Sequence, residues 1–188
     1  QVGPAIVVVI APGHARAHVL GQLSGAPRRE VAKVDAGRTR NIGERHPRVV
    51  RREVARIGAG ARFVTSVCTG SLLLGAAGLL KGKRATTHWS VRPLLGRFGA
   101  TPVDARVVRD GNLVTGAGVS AGLDFGLSIV AQLRGQPYAA ASMLTAEYHP
   151  EPPFEGGTLS TTPANVAKPM TALFEGFVEA TKTLGVAQ

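Results

Sequence analysis

The chain has 188 residues, 44% of them hydrophobic, and a formal net charge of +10. This length fits one α/β domain with a sizeable core, so a single domain over residues 1–188 is expected. The lone cysteine excludes an intrachain disulfide framework and favours the reducing cytoplasm. Nucleic-acid binding is not expected, because the arginines are scattered and no helix-turn-helix or zinc spacing accompanies them.

The first predicted element is a buried strand over Ala5–Ile10. Its apolar run is too short to cross a bilayer and has no basic region ahead of it, so no membrane association is expected. An arginine-rich helix is predicted over 48–60, where apolar residues recur at helical spacing.

A strand, a tight turn and a helix are predicted over 63–80, with Cys68 in the turn. Small polar residues after the cysteine suit a helix that starts at Thr69 or Gly70. A thiol in such a turn faces unpaired N–H groups and the positive end of the helix, which stabilise a thiolate. The pattern predicts a nucleophile. The alternative is that Cys68 is a small buried hydrophobic residue.

Seven further elements are predicted beyond this stretch. They are strands over 84–87, 105–108 and 112–115, and helices over 91–98, 121–133, 138–148 and 166–184. The dipeptide Asp110-Gly111 favours a two-residue hairpin turn between two of the strands. The Pro/Gly-rich segment 149–163 is predicted to be a loop that forms a lid or a dimer contact.

No cofactor and no metal are expected, and the predicted ligand is a small-molecule substrate. The glycines of segment 116–122 lack the spacing and the acidic partner of a dinucleotide fingerprint. Segment 78–84 misses the phosphate-binding loop by one spacer residue and has no Ser/Thr after its lysine. Cys and His residues do not cluster as metal ligands do.

Residues 66–89, SVCTGSLLLGAAGLLKGKRATTHW, resemble the nucleophile segment of the ThiJ/PfpI family in the class I glutamine amidotransferase-like superfamily, and most of all the isonitrile hydratases. The resemblance is strong over 60–157 and patchy over 1–59. It implies a flavodoxin-like three-layer α/β/α sandwich with a mostly parallel sheet and a site at the carboxyl ends of the strands. It also implies a homodimer.

The resemblance assigns roles to six residues. Cys68 is the nucleophile and Thr69 orients the intermediate, while the backbone N–H groups of Gly37 and Thr69 form an anion hole. Substrate-binding positions are Gly37 and two further residues, Gly70 and His88. The alternative for His88 is a histidine that hydrogen-bonds within the core.

The family has an acid after its first strand, and this chain has His18 at that spacing. His18 is therefore predicted to handle protons near neutral pH. The alternative is that His18 is an ordinary loop residue.

The implied activity is that of a cofactor-free hydro-lyase, which hydrates an isonitrile to an N-substituted formamide after attack by the Cys68 thiolate. Two alternatives remain open. One is other cysteine chemistry on the same fold, glyoxalase-like or peptidase-like. The other is a non-catalytic scaffold whose thiol senses redox state or ligand, which the replacement of the family's acid favours.

Overall fold

The structure is a computed structural model, and it describes residues 5–10 and 47–182. The strands are β1 (Ala5–Ile10), β2 (Ala61–Val67), β3 (Arg84–Ala85), β4 (Thr101–Pro102), β5 (Val107–Asp110) and β6 (Leu113–Gly116). The helices are α1 (Pro47–Ala59), α2 (Gly70–Ala76), α3 (Ala121–Arg134), α4 (Gln136–Thr145) and α5 (Ala164–Lys182), and a 3₁₀ helix covers Trp89–Phe98.

The main sheet contains four of these strands in the order β1-β2-β6-β5. Strand β2 pairs in parallel with both β1 and β6, whereas β5 and β6 form an antiparallel hairpin. Strands β3 and β4 pair in parallel as a separate two-stranded sheet. The prediction of an α/β fold with a mostly parallel sheet is confirmed.

Helices cover both faces of the main sheet. Consecutive residues of β2 point to opposite faces, so neighbouring side chains pack against different helices. Val64 packs in a core cluster with residues of α1, α2 and the 3₁₀ helix. Its neighbour Phe63 packs on the other face, with Phe125 and Ile129 of α3. This arrangement accounts for a strand that is apolar on both sides, as a buried parallel strand is.

Helix α2, which follows Cys68, is shorter than predicted, ending at Ala76 instead of continuing to residue 80. Gly78 adopts a left-handed φ of 80°. Around it, the N–H of Leu79 donates to the carbonyl of Leu74 at 3.0 Å, the bond that closes a Schellman motif. Leu80 is nevertheless fully buried, so the apolar spacing that suggested a longer helix reflects burial of the segment after it.

The hairpin turn also lies one residue later than predicted. Asp110 pairs with Leu113, so the turn residues are Gly111 and Asn112. Gly111 carries the positive φ of 63° that this turn requires. The dipeptide signal located the hairpin, but not the register of its strands.

Other predicted elements also differ at their ends. The strand predicted over 84–87 is only two residues long and pairs with β4, which was not predicted. The helix predicted over 91–98 is a 3₁₀ helix that begins at Trp89. Helix α4 begins earlier and ends earlier than the predicted 138–148.

No helix within the described residues is both long enough and apolar enough to cross a membrane.

Gly75 shows how closely α2 packs on the 3₁₀ helix. A Cβ added at Gly75 would lie 2.6 Å from Cγ of Phe98, which is too close for two carbon atoms that are not bonded to each other. We expect Gly75→Ala to lower the free energy of unfolding by about 1–3 kcal/mol, because Phe98 is buried and has little room to move. Urea unfolding followed by circular dichroism measures this loss.

Gly176→Ala in α5 is the matched control, since a Cβ there meets nothing within 4 Å. It should stabilise the protein by up to about 1 kcal/mol through helix propensity alone. Equal effects of the two substitutions would contradict the predicted clash at Gly75.

Candidate active site

Cys68 occupies the turn between β2 and α2. Strand β2 ends at Val67, α2 begins at Gly70, and Cys68 has a φ of 58°. A non-glycine residue in this left-handed region costs about 1–3 kcal/mol, and such residues cluster at functional sites. The thiol is partly accessible. Strand, strained turn and helix together present a side chain at the sheet edge, as a nucleophile elbow does.

Three parallel strands end together at this edge. Ile10 of β1 is opposite Val67, and Val67 is opposite Gly116 of β6. The chain therefore leaves both β1 and β6 beside Cys68. Ligands of open α/β sheets bind outside the carboxyl ends of the strands. The predicted location of the site is consistent with this geometry.

Two hydrogen bonds hold the backbone of Cys68 in its strained conformation. Its N–H donates to the carbonyl of Gly116 at 3.1 Å. Its own carbonyl accepts a hydrogen bond from Thr87 Oγ1 at 2.6 Å. The end of β6 and the segment after β3 thus fix the turn from two directions.

Buried hydroxyl groups of Ser66, Ser71 and Thr115, linked through the backbone of Thr86, underlie the turn. Ser66 Oγ and Ser71 Oγ, one on each side of Cys68, are 2.7 Å apart, and Ser71 Oγ also donates to the carbonyl of Thr86 at 2.7 Å. The N–H of Thr86 in turn donates to Thr115 Oγ1 at 2.9 Å. These four residues are fully buried. Because an unsatisfied buried polar group costs about 1–3 kcal/mol, these hydrogen bonds favour a single arrangement of strand, turn and helix.

Thr69 and Gly70 lie at the start of α2. Thr69 immediately precedes α2, has helical backbone angles (φ −69°, ψ −3°), and makes no capping hydrogen bond with its side chain. Its hydroxyl is therefore not committed to the helix start. Gly70 is the buried first residue of α2. Both residues follow Cys68 directly in the sequence.

His88 belongs to an aromatic cluster that joins the 3₁₀ helix to α5. Its Nδ1 is 2.8 Å from Ser90 Oγ. Its ring lies 5.4 Å from that of Trp89 and 5.2 Å from that of Phe174. Thr87, its neighbour in the chain, binds the Cys68 carbonyl. The contacts of the ring itself support the alternative of a packed, hydrogen-bonded histidine.

Burial lowers the pKa of His88 below its ordinary value of 6.5. Below pH 6.5 the unfolded chain therefore takes up a proton that the folded chain does not. We expect the free energy of unfolding to fall as pH drops from 6.5 towards the lower folded pKa. In His88→Asn this part of the pH dependence should disappear, as measured by urea unfolding across that range.

His149→Asn is the control for this pH series. The side chain of His149 is 85% exposed, so its replacement should leave the slope nearly as in the wild type. Equal slopes in the two variants would contradict the role assigned to burial of His88.

His18 and Gly37 lie outside the described residues, so their roles remain predictions. Thr87 and the buried hydroxyl groups that underlie the turn were not identified from the sequence. One signal was available in the sequence. Threonine and serine occupy positions 65–66 within an otherwise apolar strand, and two threonines occupy positions 86–87 at the end of the strand predicted over 84–87. Polar residues within buried segments are hydrogen-bonded as a rule, so they indicate a network without identifying its members.

Comparison with known proteins extends these observations. A model of the DJ-1/PfpI family matches residues 39–132, which is half of the chain. Isonitrile hydratase from Pseudomonas putida is 58% identical over 108 residues, covering 57% of this chain and 47% of that protein. Protein DJ-1 homolog A from Arabidopsis thaliana is 34% identical over 97 residues, covering 50% of this chain and 25% of that protein.

Among solved structures, a ThiJ/PfpI family protein from Pseudomonas syringae matches with a TM-score of 0.70 and 55% sequence identity. The match covers 71% of this chain and 55% of that one. The chain thus spans about half the length of this structure and of the isonitrile hydratase. The matched family range includes β2, the Cys68 turn and α2. The chain belongs to the DJ-1/PfpI family.

Proposed function

We propose that the protein is a cysteine-dependent hydro-lyase that converts an isonitrile into an N-substituted formamide. The observation that carries this proposal is the strained turn at Cys68, with φ at 58° and a partly accessible thiol. The similarity to an isonitrile hydratase over 57% of the chain supports the choice of substrate. Because the chain spans only about half of that relative, the activity of the whole protein is part of the proposal.

The proposed reaction begins with attack of the Cys68 sulfur on the terminal carbon of the isonitrile. A carbon–sulfur bond forms and a proton is delivered to the same carbon, which gives a thioimidate. Water then adds across the C=N bond, its oxygen to carbon and its hydrogen to nitrogen. Cleavage of the carbon–sulfur bond releases the formamide, and the proton lost from oxygen returns to sulfur. The net change is addition of one water molecule.

Backbone N–H groups beside the thiol are proposed to stabilise the oxygen of the water adduct. Thr69 N–H is the candidate within the described residues, and Gly37 N–H is the predicted second donor. The proton donor is proposed to be His18. The register of β1 supports this choice, because Ile10, its last residue, is opposite Val67, the residue before Cys68.

The proposal is tested by incubating the protein with a simple aryl isonitrile and measuring the formamide by liquid chromatography. Formamide production proportional to protein concentration is the expected result. Absence of formamide, with the thiol still free by titration, would reject the proposed activity. Turnover of an α-oxoaldehyde or a peptide would then indicate the other cysteine chemistries. A reactive thiol with no turnover would indicate the sensing scaffold.

A homodimer is also proposed, as the family resemblance implies. A cytoplasmic location is proposed because the chain has a single cysteine. Apolar side chains that α5 exposes support the dimer, since exposed apolar surface of this kind marks interaction sites. They are Val166, Met170, Leu173 and Phe177.

A further inference from the structure

The peptide group that joins Cys68 to Thr69 is held by a single side chain. Thr87 Oγ1 donates to the Cys68 carbonyl at 2.6 Å across 19 positions of sequence. In a trans peptide the C=O and the following N–H point in opposite directions, because the group is planar. The hydrogen bond from Thr87 therefore also fixes the direction of Thr69 N–H, which points away from Thr87.

Thr69 N–H has no acceptor among the residues that the structure describes, whereas the carbonyl of Thr69 accepts from Leu72 N–H at 3.0 Å. The helix itself cannot satisfy this N–H, since the first N–H groups of a helix have no intrahelical acceptor. It belongs to the residue that directly follows Cys68 in the sequence.

Thr87 is well suited to hold this peptide. Its side chain is fully buried, and a β-branched residue has few χ1 states, so the direction of its hydroxyl is well defined. A hydrogen bond to the carbonyl also polarises the peptide and strengthens its N–H as a donor. Loss of the hydroxyl would leave the Cys68 carbonyl without this partner and free the peptide to rotate.

We propose that Thr87 is a positioning residue, whose hydroxyl directs the Thr69 N–H towards the oxygen of the water adduct. The role in catalysis rests on the proposed function, whereas the control of peptide orientation does not. Removal of one donor to a developing oxyanion lowers kcat by about 10²–10³-fold. Loss of its orientation should lower kcat by up to that factor while KM changes little, because the contact forms only after the substrate has reacted.

The test compares Thr87→Val with Thr86→Val in the isonitrile assay. Both residues are fully buried, but Thr86 Oγ1 has no hydrogen-bond partner in the described part of the chain. Thr86→Val removes a hydroxyl of equal size one residue away, so it should keep the wild-type kcat. Thr87→Val should lose kcat, and Thr87→Ser, which keeps the hydroxyl, should retain most of it.

Alkylation of Cys68 by iodoacetamide separates positioning of the peptide from damage to the thiol. In that displacement a sulfur–carbon bond forms and iodide leaves, so no oxyanion develops. Measured at alkaline pH, where the thiol is fully ionised in both proteins, the alkylation rate of Thr87→Val should therefore stay within about twofold of the wild type while kcat falls. Should Thr87→Val fail to fold, Thr87→Ala compared with Thr87→Ser gives the same contrast with a smaller side chain.

Crystal structures of the same variants test the inference without any activity. The Cys68–Thr69 peptide should rotate in Thr87→Val or Thr87→Ala and keep its orientation in Thr87→Ser and Thr86→Val. An unrotated peptide in the variants that lack the Thr87 hydroxyl would overturn the proposal, and so would a kcat equal to that of Thr86→Val. If the wild type makes no formamide, the proposed function fails, and the peptide orientation alone decides the inference.

Discussion

Cys68→Ala is expected to lower the rate of formamide production by about 10³-fold or more, because the proposed reaction has no path without a nucleophile. Cys68 is the only cysteine of the chain, so no second thiol can take over. Cys68→Ser should be nearly as inactive, since a hydroxyl without an adjacent base is a weak nucleophile at neutral pH. Initial rates with an aryl isonitrile, under conditions that saturate the wild type, measure both losses.

The control is Cys68→Gly, which removes the same thiol but relieves the left-handed backbone at φ 58°. It should be as inactive as Cys68→Ala and at least as stable in thermal unfolding. This pair separates loss of the thiol from loss of the fold. If Cys68→Ala kept activity within tenfold of the wild type, Cys68 would not be the nucleophile and the proposed mechanism would be wrong.

His18→Ala is expected to slow formamide production by about 10²–10⁴-fold, the usual contribution of a positioned general acid or base. The loss should appear in kcat more than in KM, because the proton is transferred to carbon only after the sulfur has attacked. His18→Asp places an acid at the position where the family resemblance implies one, so it should keep or raise the wild-type rate. Steady-state kinetics of the three proteins test this series.

His149→Ala is a matched control for His18→Ala. His149 is largely exposed and lies 3.3 Å from Glu151 in the loop before α5, away from the elbow in sequence. Its replacement should leave kcat unchanged. Equal activity of His18→Ala and His149→Ala in an active enzyme would exclude His18 from the mechanism and leave the proton donor unassigned.

Prediction of the fold from sequence succeeded where the signal was local and repeated. Apolar residues at helical spacing gave α1 to within one residue at each end, because one face of that helix packs on the core. The predicted end of α2 was wrong, since Leu79 and Leu80 continue the apolar run after Gly78 has closed the helix. A hydrophobic pattern indicates which residues are buried. Because burial can continue past the end of a helix, the pattern alone does not locate that end.

The sequence alone determined the family, the α/β class and the nucleophile candidate. These depend on neighbouring residues: a buried strand, the Cys68 turn and a helix start follow one another within a few positions, so their chemistry can be read in chain order. The sequence also indicated that Thr69 and Gly70 would lie beside the thiol, because they follow it directly.

Only the tertiary structure decided what holds that turn in place. Thr87 reaches the Cys68 carbonyl from 19 positions away, and Ser71 reaches the Thr86 carbonyl from 15 positions away. The contacts of His88 with Phe174 of α5 are likewise absent from any local pattern. Hydrogen-bonding hydroxyl groups do not recur at a regular spacing in the sequence. The partner of the Thr87 hydroxyl depends on how β3 packs beside the Cys68 turn. For that reason the positioning residues became visible only once the elements were packed together.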